Sequence, residues 1–215
     1  MEIRPSSDRS LLISFGDRIS PELHREVLRL LRAFAELPRG ILNLHPAYSS
    51  VLIDFDPRRR THAEVEEMVR ARIEQIESAI PDEPRQVEIP VSYGGECGPD
   101  LKELARHTGL SPTEVIRLHT SADYLVYFLG FSPGFPYLGG LPPQLAAPRL
   151  SAPRKKVPAG SVAIGGNQTG IYPMETPGGW RIIGRTTLRL FDAEANPPAL
   201  LRAGDRVRFV AQNES

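Results

Sequence analysis

The residue types best suited to chemistry in this 215-residue sequence gather in RKKVPAGSVAIGGNQTGIYP, residues 154–173. Gln168 can donate and accept hydrogen bonds together, which suits an amide substrate, and Thr169 offers a hydroxyl. Gly165 and Gly166 let backbone N–H groups approach an anion or a carbonyl oxygen closely. Arg154, Lys155 and Lys156 are three adjacent cations, a pattern that also suits a plain solvated face. Just downstream, TPGGWRIIGRT (176–186) adds Trp180, Arg181 and Arg185. Arginine grips a carboxylate with two parallel bonds, although surface arginines beside a sheet tryptophan would read the same way. Upstream, FSPGFPYLGGLP (131–142) sets Phe131, Phe135 and Tyr137 in a frame of Pro133, Gly134 and Pro136. Such a frame can wall a small ligand or plug the end of a barrel. The whole stretch from Gly130 to Gly184 holds 20 of the chain's 39 glycine and proline residues, which suggests shaped loops on a rigid sheet.

Two further residues carry possible chemistry. His119 closes a predicted helix, where an imidazole interacts well with the helix dipole. It also stands just before an apolar strand, where it could serve as a proton donor or acceptor facing the loops beyond. Cys97 lies in the glycine turn YGGECGPD and would need a base nearby to act as a nucleophile; a plain turn cysteine is the simpler reading. The five histidines have no metal-ligand spacing, and no phosphate-binding glycine loop, dinucleotide fingerprint, HExxH or GxSxG element is present. Basic and acidic residues balance at 26 each, so nothing asks for nucleic acid as a partner. One cysteine permits no internal disulfide. The amino-terminal residues lack the apolar core of a secretory signal, and no apolar run approaches the roughly 20 residues of a membrane span. A cytoplasmic protein is the expectation.

The elements that must position these residues fall into two groups. In the first, LLISF (11–15) reads as a strand after a turn at PSSDRS. Ser20 and Pro21 open a helix over 21–37, with Leu23, Val27, Leu30, Leu31, Phe34 and Leu37 on one face. Residues 41–45 and 50–55 read as two strands. Thr61 and Glu64 form a capping box for a second helix carrying Val65, Val69, Ile73, Ile76 and Ile80. This order suits helices on one face of an antiparallel sheet. A polar, proline-bounded joint at 81–84 then sets the domain boundary, giving domains 1–84 and 85–215. Beyond it, 86–93 reads as a strand, 99–107 and 111–120 as a helix pair, and YLVYFLGF (124–131) as a strand buried on both faces. SVAIGG, TGIYP and WRIIGRTT read as short strands, GGNQTG as the turn between two of them, and 205–210 as the last strand. Several short strands between turns suggest a barrel or sandwich.

FLGFSPGFPYLGGLP, followed by RKKVPAGSVAIGGNQTGIYPMETPGGWRIIGRT, closely resembles the allophanate hydrolase subunit 1 family. That family includes the B-type component of bacterial 5-oxoprolinase and the kinase inhibitor KipI, and the likeness extends over most of the chain. The resemblance implies an α+β protein, with a small ferredoxin-like amino-terminal domain followed by a cyclophilin-like β-barrel. It implies a heteromeric complex with a homologous barrel subunit and a third α/β subunit, acting on a small cyclic amide. The activity implied is the ATP-dependent opening of 5-oxoproline to glutamate, with the isolated chain inactive. This sequence has no recognisable ATP motif, so ATP would belong to the assembled complex. Within that activity, His119, Gln168 and Thr169 become the candidate catalytic residues. Phe135, Tyr137, Arg154, Tyr172 and Arg185 become the candidate substrate-binding residues. Inhibition of a sensor histidine kinase, or a role in urea or allophanate breakdown, is the alternative the same resemblance allows.

Overall fold

The computed structural model describes residues 1–75 and 84–212, and its contacts divide the chain into two units, Met1–Glu83 and Pro84–Ser215. In the first, strands β1 (Glu2–Ser7), β2 (Ser10–Ser14), β3 (Ile41–Pro46) and β4 (Ser50–Phe55) form an antiparallel sheet in the order β1-β2-β4-β3. Helix α1 (Pro21–Ala33) connects β2 to β3, and α2 (His62–Gln75) follows β4. Both helices start where side-chain caps place them. Ser20 accepts from the Leu23 N–H at 3.2 Å, and the Thr61 N–H donates to Glu64 at 2.7 Å. Val27 and Leu30 of α1 and Val65 and Val69 of α2 are fully buried with Leu11, Ile13, Val51, Ile53 and Phe55 of the sheet. That apolar face is what holds two short helices in place.

The sequence reading departs from this unit in two places. The sequence pattern does not predict β1. Its residues are polar and include Pro5, which suits an exposed edge strand and hides the strand period. Helix α1 stops four residues short of the expected end. Phe34 and Ala35 bond back three residues, to Leu31 and Arg32, closing the helix in a tightened turn. Leu37 is left exposed, and Pro38 disfavours helical backbone at that residue. Ile76 and Ile80, expected on the second helix, lie outside the described residues, as does most of the expected joint.

The second unit runs β5 (Gln86–Tyr93), α3 (Leu101–Thr108), α4 (Pro112–Ser121), β6 (Tyr124–Leu129), β7 (Pro136–Gly139), β8 (Arg154–Val157), β9 (Ser161–Gly165), β10 (Gln168–Ile171), β11 (Thr176–Gly178), β12 (Arg181–Arg185) and β13 (Arg206–Ala211). Seven strands close into a barrel in the order β10-β7-β6-β13-β5-β12-β9, while β8 and β11 pair as a separate ribbon. β13 and β5 are parallel; the other barrel pairs are antiparallel. The barrel interior is packed with Ile89, Val91, Tyr124, Val126, Leu138, Val162, Ile164, Ile171, Ile183 and Phe209, so the barrel is a core and not a pore. A second apolar cluster lies on the other side of the strands, made of Phe135, Val157, Ala163, Tyr172, Trp180 and Ile182. Alternation along β9 and β12 divides their residues between these two faces.

The strand expected over 124–131 ends at Leu129, and Leu125, Phe128 and Leu129 are only partly buried. It is therefore not buried on both faces along its length. Phe131 has left the strand altogether, with a left-handed φ of 66° and an exposed ring. Strands β7, β8 and β11 lie in segments read as loops. Their proline and cation content gives no apolar alternation to detect.

Candidate active site

The eight sequence-predicted site residues occupy three different places. His119 and Thr169 lie in the barrel interior. Neither exposes any surface. His119 Nδ1 is 2.7 Å from the Tyr93 hydroxyl and Nε2 is 3.0 Å from Thr169 Oγ1. Thr169 Oγ1 also bonds the Ala163 carbonyl at 3.1 Å. That carbonyl can only accept, so the single Thr169 hydroxyl proton goes to it. His119 therefore carries its proton on Nε2 and donates to Thr169, while Nδ1 accepts from Tyr93. The Tyr124 hydroxyl donates to the His119 carbonyl at 2.9 Å, and the imidazole is 4.4 Å from the Phe209 ring. Burial pushes the His119 pKa down to about 3 and raises that of Tyr93, so the network is neutral. His119 does not face the loops, contrary to its expected place as a proton-transfer group. It sits beneath the sheet with both ring nitrogens engaged, and in this conformation neither it nor Thr169 meets a dissolved substrate.

Phe135, Tyr137 and Tyr172 do converge, outside the barrel. The rings of Tyr137 and Tyr172 each lie 5.2 Å from that of Phe135, edge to face. Trp180 completes the group at 5.6 Å from Phe135 and 6.3 Å from Tyr137. Two glycines make room for the indole. A Cβ on Gly165 would fall 2.6 Å from the Trp180 ring, and one on Gly170 would fall 2.9 Å from Phe135 and 3.1 Å from Trp180. Gln168 pairs with Gly165 in the ladder and precedes Gly170 by two residues. Strand alternation therefore sets it on this same outer face, beside the aromatic group. Thr169, one residue on, points inward.

Cations border the aromatic surface. Arg149 lies over the Trp180 ring at 5.7 Å. Arg154 Nη2 donates to Asp100 Oδ1 at 2.7 Å, and the other carboxylate oxygen of Asp100 accepts from the Ile182 N–H at 2.7 Å. Asp100 is buried, and it ties β12, the start of α3 and Arg154 together. Burial raises the pKa of the Tyr172 hydroxyl; the Trp180 backbone N–H and the charges of Arg149 and Arg154 partly oppose this. Arg181 is held by the Pro148 carbonyl at 2.9 Å and by Glu103 at 2.8 Å, which leaves it little freedom for a ligand. Phe135, Tyr172 and Trp180 are themselves buried and form an outer apolar cluster, while Tyr137 and Gln168 are half-buried at its edge beside the guanidinium groups.

Arg185 stands elsewhere. β9 runs from Gly165, opposite Gln168, to Ser161, opposite Arg185. Four residues of strand, roughly 13 Å, separate the two backbone positions along β9, and they lie on strands that flank β9 on opposite edges. Arg185 lines its own cleft of about 770 Å³ with Gly160, Met174, Glu175, Thr187 and Phe191. Cys97 is partly buried and free, and the described residues contain no cluster of histidine, cysteine and carboxylate side chains suited to a metal ion.

Several contributors escaped the sequence reading. Asp100 stands in the same turn as Cys97, but only the cysteine has a type that draws notice there. Tyr93 ends an ordinary strand, and Arg149 lies in a proline-rich loop. None carries a local signal, because each acts through a partner more than 25 residues away in sequence or through tertiary packing.

A closed seven-strand barrel backed by an outer aromatic cluster is the frame of the class. Residues 1–201 match the carboxyltransferase domain, subdomain C and D, and the chain belongs to that family. It is 44% identical to the 5-oxoprolinase B-type subunit of Bacillus subtilis (strain 168), covering 99% of this chain and 93% of that one. It is 47% identical to the 5-oxoprolinase B-type subunit of Escherichia coli O157:H7, over 88% of this chain and 86% of that one. Among solved structures, TTHA0988 superposes with a TM-score of 0.85 at 40% identity, over 96% of this chain. The alignment takes in only 40% of the longer TTHA0988 chain.

Proposed function

We propose that the chain is the B-type subunit of an ATP-dependent 5-oxoprolinase, opening 5-oxo-L-proline to L-glutamate together with partner subunits. The observation that carries this reading is the 44% identity, across 99% of the chain, to a protein named for that role. The edge of the outer aromatic cluster is compatible with it. Half-buried Tyr137 faces the ring of the lactam, backed by the buried rings of Phe135 and Tyr172, and Gln168 meets its amide. Arg154, whose charge Asp100 compensates, offers its second guanidinium nitrogen, unpartnered among the described residues, to the carboxylate. An amide is a poor electrophile; transfer of the γ-phosphoryl group of ATP to the lactam oxygen would open C5 to water, and such steps need donors around the developing anion. His119 and Thr169 act beneath the sheet, fixing β10 so that Gln168 is presented at a set angle; they are positioning residues in this reading. ATP is bound by a partner or at a shared interface. The partners are a homologous barrel subunit and a third α/β subunit, and the complex works in the cytoplasm, with the isolated chain inactive.

The same reading extends to the fold. We infer that the amino-terminal unit is a ferredoxin-like sheet with one strand contributed from the amino-terminal end, because α1 links β2 to β3 around the intervening β4. The barrel is assigned as cyclophilin-like.

Reconstitution with the partner subunits, followed by glutamate release with and without ATP, tests the function. Glutamate should appear only with ATP and only in the full complex. Gln168→Ala should lower kcat at least tenfold in a complex that still assembles; full activity would displace the site, and no turnover by the wild-type assembly would overturn the function.

A further inference from the structure

The cleft around Arg185 is chemically unlike the aromatic surface. Among the described residues, the Arg185 guanidinium makes no hydrogen bond or ion pair, and its Nε is shielded from solvent without a partner. The other charges on the cleft wall are compensated: Glu175 pairs with Lys156 at 2.9 Å, and Arg189 with Asp192 at 2.7 Å. Arg185 therefore leaves the cleft with one unmatched positive charge. The cleft is built close to the backbone. Gly160 has φ 79°, and a Cβ there would lie 2.1 Å from the Thr186 carbonyl oxygen. The Gly160 N–H is committed to the Tyr172 carbonyl, and the Thr186 N–H to the Gly160 carbonyl. Arg185 itself pairs with Ser92 and Ser161 in the barrel, and the Thr186 bond follows directly, which fixes the root of its side chain. Thr187, exposed on the wall, adds a hydroxyl.

An uncompensated guanidinium on a fixed backbone in a concave site suits an oxyanion, since its fork offers parallel donors to two oxygens. At about 770 Å³ the cleft is within the range of small-molecule sites and larger than one carboxylate needs. The Arg185 backbone stands roughly 13 Å from that of Gln168 along β9, on the opposite edge of that strand, and none of the aromatic cluster lines the cleft. We propose that the Arg185 cleft is a second subsite, which takes a phosphate-class oxyanion: free phosphate or the polyphosphate tail of a nucleotide. This deepens the functional reading above, in which a phosphoryl group is transferred and phosphate released, and it rests on that reading for its role in turnover but not for the binding itself.

Calorimetric titration of the full-length chain alone, at low salt, with inorganic phosphate, ATP and 5-oxoproline in separate runs, tests it. Phosphate should bind saturably, and its Kd should rise at least tenfold in Arg185→Gln while remaining unchanged in Arg117→Gln, an exposed site on α4. Arg185→Lys, which keeps the charge and loses the fork, should fall between them, and Trp180 fluorescence checks that each variant is folded. Tighter binding of ATP than of phosphate assigns the cleft to a polyphosphate tail; equal binding assigns it to phosphate. Absence of saturable phosphate and ATP binding, equal binding in Arg185→Gln, or Arg185-dependent binding of 5-oxoproline alone would overturn the proposal. None of these readouts requires turnover, so a negative result leaves lactam opening untested, and a failed turnover assay leaves the cleft intact.

Discussion

Lowering the pH from 7 to 5 should destabilise the barrel unit through a single buried imidazole. Burial lowers the His119 pKa from 6.5 to about 3 in the folded chain, whereas in the unfolded chain it titrates near its ordinary value. Between those two values the unfolded state binds one proton more than the folded state. Stability from this group is therefore complete above about pH 6.5 and declines as pH falls toward 3. Integrated from pH 7 to pH 5, the loss is about 2 kcal/mol. Trp180 is the only tryptophan in the sequence and belongs to the barrel unit, so its fluorescence follows that unit. Urea unfolding of the full chain at both pH values, for wild type and His119→Gln, isolates the term. Glutamine retains an N–H donor for Thr169 and takes up no proton in this range, so its own cost cancels between the two conditions. Titrating carboxylates elsewhere cancel between the two proteins. Wild type should lose about 2 kcal/mol more than the variant. Equal losses would refute the reasoning and mean that the folded barrel accommodates a protonated imidazole.

Asp100→Ala removes the acceptor of the Ile182 N–H and leaves the Arg154 guanidinium without its counter-charge. It should cost about 3 kcal/mol in the same fluorescence-detected unfolding; a loss within experimental error would mean that water replaces the carboxylate at both partners. Gly160→Ala adds a methyl group 2.1 Å from a carbonyl oxygen at a left-handed φ and should cost at least about 2 kcal/mol. Gly166→Ala is the matched control, because it has a similar φ of 67° but nothing within 4 Å, and should cost only about 1 kcal/mol. Similar losses at the two positions would show that backbone strain, not crowding, sets both.

The helices are the most legible elements because their ends are written in side chains. Ser20, and Thr61 with Glu64, cap the helices whose starts they predict, and Ser111 with Glu114 caps the helix read over 111–120. The barrel strands β5, β9, β12 and β13 are legible from apolar runs that the interior requires. β1, β7, β8 and β11 are not, since an edge or a ribbon imposes no such requirement and their residues are polar, cationic or proline-rich. The aromatic wall is legible as residue types, but its assembly depends on Gly165 and Gly170 clearing space for Trp180. That role emerges only when the strands are in register.

The grouping of site residues fails for a reason that one residue decides. Reading GGNQTG as the turn places Gln168 and Thr169 together at a loop tip, free to act on one substrate. In the structure β10 begins at Gln168, which pairs with Gly165. A strand sends neighbours to opposite faces, so starting it at Gln168 instead of after it separates the pair. Gln168 goes to the aromatic surface, and Thr169 goes to the interior, where it meets His119. The same ladder carries Arg185 to the far end of β9. Three candidate sets that are close in sequence thus become an outer face, an inner face and a strand end. What joins the first two is β10 itself: the hydrogen bond from His119 to Thr169 fixes from inside the strand that presents Gln168 outside.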